Sequence, residues 1–149
     1  MRVLLIEDGR EYEEFARAFL GSECTIVAAH SGAEALALAK ETRFDAFLVD
    51  LRFERAPAED LIGDLEDTAR RLFAGDRARA LRWLKDQQGT LVLAELRRAG
   101  HAQRAVFVHD FPKRRLENLQ KLYGDVEAVP TFDADAIRSA LRIGLRSPA

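Results

Sequence analysis

Residues 44–53 read FDAFLVDLRF, an apolar run that ends on a single carboxylate, Asp50. Phe47, Leu48 and Val49 form a short, continuous, partly β-branched segment, the pattern of a strand covered on both faces in a parallel sheet. Asp50 then stands at the strand's carboxyl end. In open α/β sheets ligands and chemistry gather at that rim, so a carboxylate there is a reactive group, a metal ligand or a cap for the next turn.

Toward the N-terminus, Arg2 to Ile6 (RVLLI) reads as a buried first strand that ends on Glu7 and Asp8. Tyr12, Phe15, Ala16, Phe19 and Leu20 then recur at helical spacing, with Gly21 as a stop. Thr25 to Ala28 is a second short strand, after which Ser31 caps a helix carrying Ala35, Leu36, Leu38 and Ala39, with Glu34 at the capping-box position. Toward the C-terminus, Ala105 to Val108 (AVFV) reads as a fourth strand. Asp110 and Pro112 announce a helix with Leu116, Leu119 and Leu122 on one face. Val126 to Val129 is a fifth strand. Asp133 to Leu145 closes the chain as a helix with Ile137, Leu141 and Leu145 on one face; Arg138, Arg142 and Arg146 form a solvated one.

This alternation predicts an α/β fold, a doubly wound five-stranded parallel sheet of flavodoxin-like order 2-1-3-4-5 with helices on both faces. One segment breaks it. Roughly 35 residues separate Arg52 from the helix around Leu91 to Leu96, where about 2–6 are usual. Leu61, Ile62, Leu65, Leu72 and Phe73 follow a helical period after Pro57, and Ala80, Leu81, Trp83 and Leu84 another after Gly75 and Asp76. A helical insertion of one or two helices over about 54–88 is expected, inside a single domain spanning 1–149. Leu72, Phe73 and Trp83 make it a candidate surface for a partner or a homodimer.

Composition narrows the function. At 149 residues, 48% hydrophobic and 32% charged, the chain suffices for one full core, and 23 basic against 25 acidic residues leave no net pull toward nucleic acid or anionic membrane. The lone Cys24 excludes an internal disulfide and a Cys-based zinc site, and reads as a small core residue. The apolar run Val3 to Ile6 is cut off by Glu7, far short of a signal or membrane segment, so a cytoplasmic protein with no membrane partner is expected. The P-loop and Rossmann glycine patterns are absent, and the ED-Gly sequence after the first strand suits neither an FMN phosphate loop nor a DxD phosphatase.

In the 2-1-3-4-5 order the first and third strands are neighbours, so Glu7, Asp8 and Asp50 converge on one crevice. Their repulsion is relieved either by a proton on one carboxyl group or by a divalent cation, and oxygen ligands with room for water suit Mg²⁺.

These residues, with GTLVLAELRRAG at 89–100 and FDADAIRSAL at 132–141, resemble the receiver domain of bacterial response regulators in an atypical form. The resemblance implies that Asp50 is the phosphoacceptor of a phosphorelay, and that Glu7, Asp8 and Asp50 hold Mg²⁺ with the backbone carbonyl of Arg52. It also implies a histidine kinase or other signalling protein as partner, and signal output through protein contacts rather than enzymatic turnover. With no output domain after Leu145, association is the expected route. Two departures stand out. Receivers carry Ser or Thr after the fourth strand, where this chain has His109 and Asp110. They carry Lys at the end of the fifth, where Val129 or Pro130 falls, depending on the placement of one gap. His109 is the candidate replacement for the hydroxyl and Lys113 for the lysine. The alternative is a pseudo-receiver, a protein-interaction module independent of phosphate.

Overall fold

The structure, a computed structural model, describes residues 1–143; Leu145 and Arg146 of the expected last helix lie outside it. Five parallel strands, β1 (Arg2–Ile6), β2 (Thr25–Ala29), β3 (Ala46–Val49), β4 (Arg104–Val108) and β5 (Val126–Val129), pair in the order β2-β1-β3-β4-β5, as the alternation predicts. The register sets Ile6 beside Val49, Val49 beside Phe107 and Val108 beside Val129. Glu7, Asp8, Asp50 and His109 therefore all emerge from one edge.

Alternating residues of each strand feed two cores. Val3, Leu5, Ala46, Leu48, Val106 and Val108 pack under α1 (Glu11–Leu20) and α7 (Ala134–Leu141). Leu4, Ile6, Phe47, Val49 and Phe107 pack under α2 (Gly32–Glu41), with two further helices beside it, α5 (Gln88–Arg98) and α6 (Lys113–Tyr123). Phe47 and Phe107 are fully buried, each contributing about 2–3 kcal/mol of apolar transfer. Helices α2 and α7 start where a short polar side chain satisfies a first-turn amide: Ser31 accepts from Glu34 (3.1 Å) and Asp133 from Ala136 (3.0 Å). On α6 the buried stripe runs through Leu116, Leu119 and Tyr123. Leu122 is 70% exposed, because 119 and 123 share a face at 3.6 residues per turn and 122 falls off it.

The insertion consists of a 3₁₀ turn (Ala58–Asp60), α3 (Leu65–Leu72) and α4 (Arg77–Asp86). Leu61 and Ile62, expected in a helix, sit in the connection between the turn and α3 because they pack inward as wedges. Leu61 is buried, and Ile62 lies so close to Gly32 that a Cβ there would be 2.4 Å from its Cγ1. Helix α4 runs into α5 at Gln87, which closes one helix and opens the next. The buried Gln88 side chain ties the segments together. Its Oε1 accepts from the Ile62 N–H (2.6 Å), and its Nε2 donates to the carbonyls of Ile62 (3.1 Å) and Leu84 (3.2 Å).

Helix α5 begins almost in contact with the end of β3. The Gly89 N–H donates to the Leu51 carbonyl at 2.8 Å, and a Cβ on Gly89 would lie 2.4 Å from the Asp50 carbonyl oxygen. Only a residue without a side chain fits against that backbone.

Two substitutions test this junction. Gly89→Ala forces rigid backbone apart and is expected to destabilise the chain by about 1–3 kcal/mol in urea unfolding. Gln88→Ala leaves the Ile62 amide and carbonyl unpaired, a loss on the order of 1–3 kcal/mol. It should release the insertion first, seen as faster tryptic cleavage within 54–87 while the sheet's far-UV circular dichroism persists.

Candidate functional site

Glu7 is buried to 1% exposure, and its two carboxylate oxygens accept the N–H groups of Tyr12 (3.2 Å) and Glu13 (2.7 Å). It thereby satisfies amides at the start of α1, where the helix dipole favours a negative charge. Burial raises its pKa, and the two amides pull against that rise. Asp8, the next residue, has one oxygen occupied: Oδ2 accepts the Arg55 N–H at 2.6 Å. The Arg55 guanidinium in turn pairs with Glu11 at 2.7 Å, so the chain beyond β3 is strapped to the start of α1.

Asp50 is held by its own backbone, whose N–H donates to the Ile6 carbonyl at 2.9 Å. Burial lifts its carboxyl pKa to about 7, reinforced by the charges of Asp8 and Glu7; the amides of Arg52 and Leu51 oppose the rise. The carboxyl group opens into a cleft of ≈ 220 Å³ that Asp8, Glu11, Tyr12, Arg52, Glu54 and Arg55 also line. The Tyr12 hydroxyl is pushed up to about 12 by burial and by Asp50, Glu7 and Glu11, so it remains a neutral donor. Phe132, at φ 56°, stacks on the Tyr12 ring with centroids 4.9 Å apart and fixes it over the cleft.

The donor set suits a hard cation in part. Asp8, Asp50 and the Arg52 carbonyl offer the oxygen ligands Mg²⁺ prefers, and burial, then the charges of Asp8 and Glu7, make the Asp50 carboxylate costly without a counter-charge. Glu7 stands apart, with both oxygens engaged by helix amides. Among the described residues, no group of three or more acidic, His or Cys side chains is arranged as a metal cluster.

The two expected replacements do not line this cleft. His109 follows β4 directly, half-buried, its ring edge-to-face on Phe111 at 4.7 Å; burial, then Arg52 and Arg115, lowers its pKa, so it is neutral near pH 7. Lys113 is exposed at the first turn of α6, and Asp110 is exposed before it. Val129 is the last residue of β5, 7% exposed in the core under α1 and α7, and Pro130 follows it on the surface. Neither carries charge. Sequence reasoning passed over Tyr12, Glu11 and the two arginine side chains. The alternation Leu51-Arg52-Phe53, apolar on both sides of a cation, is a signal that could have found the Arg52 side chain.

A doubly wound sheet of this order with helices on both faces is the CheY-like fold, which solved receiver domains share. At the level of structure, the chain is similar to the Francisella response regulator 1452 receiver domain (TM-score 0.60, 15% identity, 95% of this chain and 93% of that one). It is similar also to the Vibrio cholerae chemotaxis protein CheY4 (0.61, 14%, 95% of each). A third likeness is to the Thermotoga maritima response regulator protein TrrA (0.61, 16%, 95% and 96%). In sequence it is 40% identical over 67 residues to a response regulator receiver protein of Anaeromyxobacter sp. (strain Fw109-5), a match covering 43% of this chain and 27% of that relative. No family model matches the chain. Among the described residues no helix is long and apolar enough to cross a membrane.

The raised Asp50 pKa has a sign in stability. Between the unfolded value of 3.8 and about 7 the folded chain holds the extra proton, so the contribution is full below the lower value and is lost as pH rises through the upper one. In divalent-free buffer, Asp50→Asn should abolish that slope and be more stable than the native chain at pH 8 by about 1–3 kcal/mol, read by thermal or urea unfolding.

Proposed function

We propose that this chain is a signalling receiver in which Asp50 accepts a phosphoryl group, delivered by a histidine kinase or another signalling protein, and that a protein partner reads the result. The observation that carries the reading is the placement of Asp50: half-buried at the carboxyl end of β3, facing a cleft, with its pKa raised by burial and Asp8. In the deprotonated form one Asp50 oxygen attacks phosphorus. A new O–P bond forms as the P–N bond to the donor histidine breaks, the electron pair leaving with the imidazole, which takes up a proton. Asp8, Asp50 and the Arg52 carbonyl are the residues that would hold Mg²⁺, with Glu7 supporting α1 behind them. When bound, the ion screens the carboxylate from the phosphoryl oxygens. That TrrA was solved in complex with Mg²⁺-BeF supports testing the same ligand here.

A second reading, the phosphate-independent interaction module, draws on two observations. No lysine stands at the end of β5, and one oxygen of Asp8 is already occupied by the Arg55 amide. Incubation with Mg²⁺ and acetyl phosphate or beryllofluoride separates the readings. An adduct seen by intact mass or by amide shifts around residue 50, lost in Asp50→Asn, is the expected result. A native chain that shows no adduct and binds no Mg²⁺ would sink the acceptor reading and leave the interaction module.

A further inference from the structure

A phosphoryl group on Asp50 brings roughly two negative charges to an edge that already holds Asp8 and Glu7, and the end of β5 supplies no cation to meet them. The chain after β3 does. Leu51 and Phe53 are buried at 2% and 1% exposure, so the residue between them is turned away from the core, and Arg52 lines the Asp50 cleft. Its backbone is held from both sides: the Leu51 carbonyl accepts the Gly89 N–H at 2.8 Å, and the Phe53 N–H donates to the Lys85 carbonyl at 2.9 Å. The insertion and the start of α5 thus fix the point from which the Arg52 side chain reaches.

We propose that the Arg52 guanidinium binds the phosphoryl oxygens on Asp50, filling the role left empty at Val129 and Pro130. This rests on the reading of Asp50 as acceptor. Two nearby arginines are otherwise engaged, and Arg10 and Lys113 lie outside the cleft lining. Arg55 is paired with Glu11 at 2.7 Å; Arg115 donates to the Gln87 side chain and lies over the Phe111 ring at 5.0 Å. Arg52, by contrast, is exposed and forms no ion pair among the described residues. Its charge is also felt at His109, after β4, the strand end where a receiver carries its hydroxyl. A planar guanidinium offers paired N–H donors that match two phosphoryl oxygens, a geometry an ammonium does not reproduce. Here the cation comes from the residue that follows the acceptor by two, not from the far strand.

The test is a beryllofluoride titration of the full chain with Mg²⁺, followed by fluorine NMR, on the native protein and on Asp50→Asn, Arg52→Ala, Arg52→Lys and Lys113→Ala. Arg52→Ala should weaken binding by about tenfold or more, with Arg52→Lys recovering part of the loss through its charge. Because Arg52 is exposed, the fold of both variants is checked by circular dichroism and is expected to be unchanged. Native binding that Asp50→Asn abolishes and Arg52→Ala leaves intact would overturn the proposal while keeping Asp50 as acceptor. A loss confined to Lys113→Ala would overturn it in favour of that residue. No binding by the native chain would overturn the acceptor reading, and this proposal with it.

Discussion

Helix α5 starts where its first amides meet the end of β3, with no side chain at position 89 to keep the two backbones apart. That contact closes the long detour of residues 54–87 and returns the chain to the sheet as though the insertion were a short loop. It also determines the site. With the Leu51 carbonyl and the Phe53 amide both engaged, the turn after Asp50 has one conformation, its side chains alternate inward and outward, and Asp50 and Arg52 face the same cleft. Gln88 extends the constraint to Ile62 and Leu84, so the insertion packs on α2 and α5 as part of the core.

The electrostatics at this edge follow from what the sheet brings together. Parallel register sets the ends of β1 and β3 side by side, and three carboxylates arrive within one small region. Each is answered differently. Glu7 receives two helix amides and Asp8 the Arg55 amide, whereas Asp50 has only the weaker pull of its own turn to set against burial and the neighbouring charges, which lift its pKa to about 7. A group left in that condition is receptive to a proton, a cation or an electrophile. The arginines of the connecting segment, Arg52 and Arg55, offset only part of the charge of Asp8, Glu11, Asp50 and Glu54 around the cleft.

Strand identities and their order were legible from the chain because continuous apolar runs have few alternative fates: Val3 to Ile6, Phe47 to Val49 and Val106 to Val108 are buried on both sides, as their composition requires. From that order Glu7, Asp8 and Asp50 were expected to converge; Asp8 and Asp50 line one cleft, and Glu7 turns to the amides of α1 instead. Less was legible where packing overrides period. Leu61 and Ile62 leave the helical pattern to fill space beside Gly32, and Leu122 points to solvent although three leucines in sequence suggested a shared face.

Alternation of strands and helices, the sheet order it implies and the carboxyl ends of β1, β3, β4 and β5 could be read from the chain alone, because those depend on local composition and on the handedness of parallel crossovers. Tertiary structure decided what each carboxylate does and which cations stand near it. Hydrogen bonds from Arg55, Tyr12 and Glu13 assign Asp8 and Glu7 their partners, and those donors come from chain neighbours that no spacing rule singles out. The position of Arg52 beside Asp50 depends likewise on a helix that begins at residue 88 and is pressed against the end of β3. Charge balance at a site is a property of distances, and only the folded chain sets them.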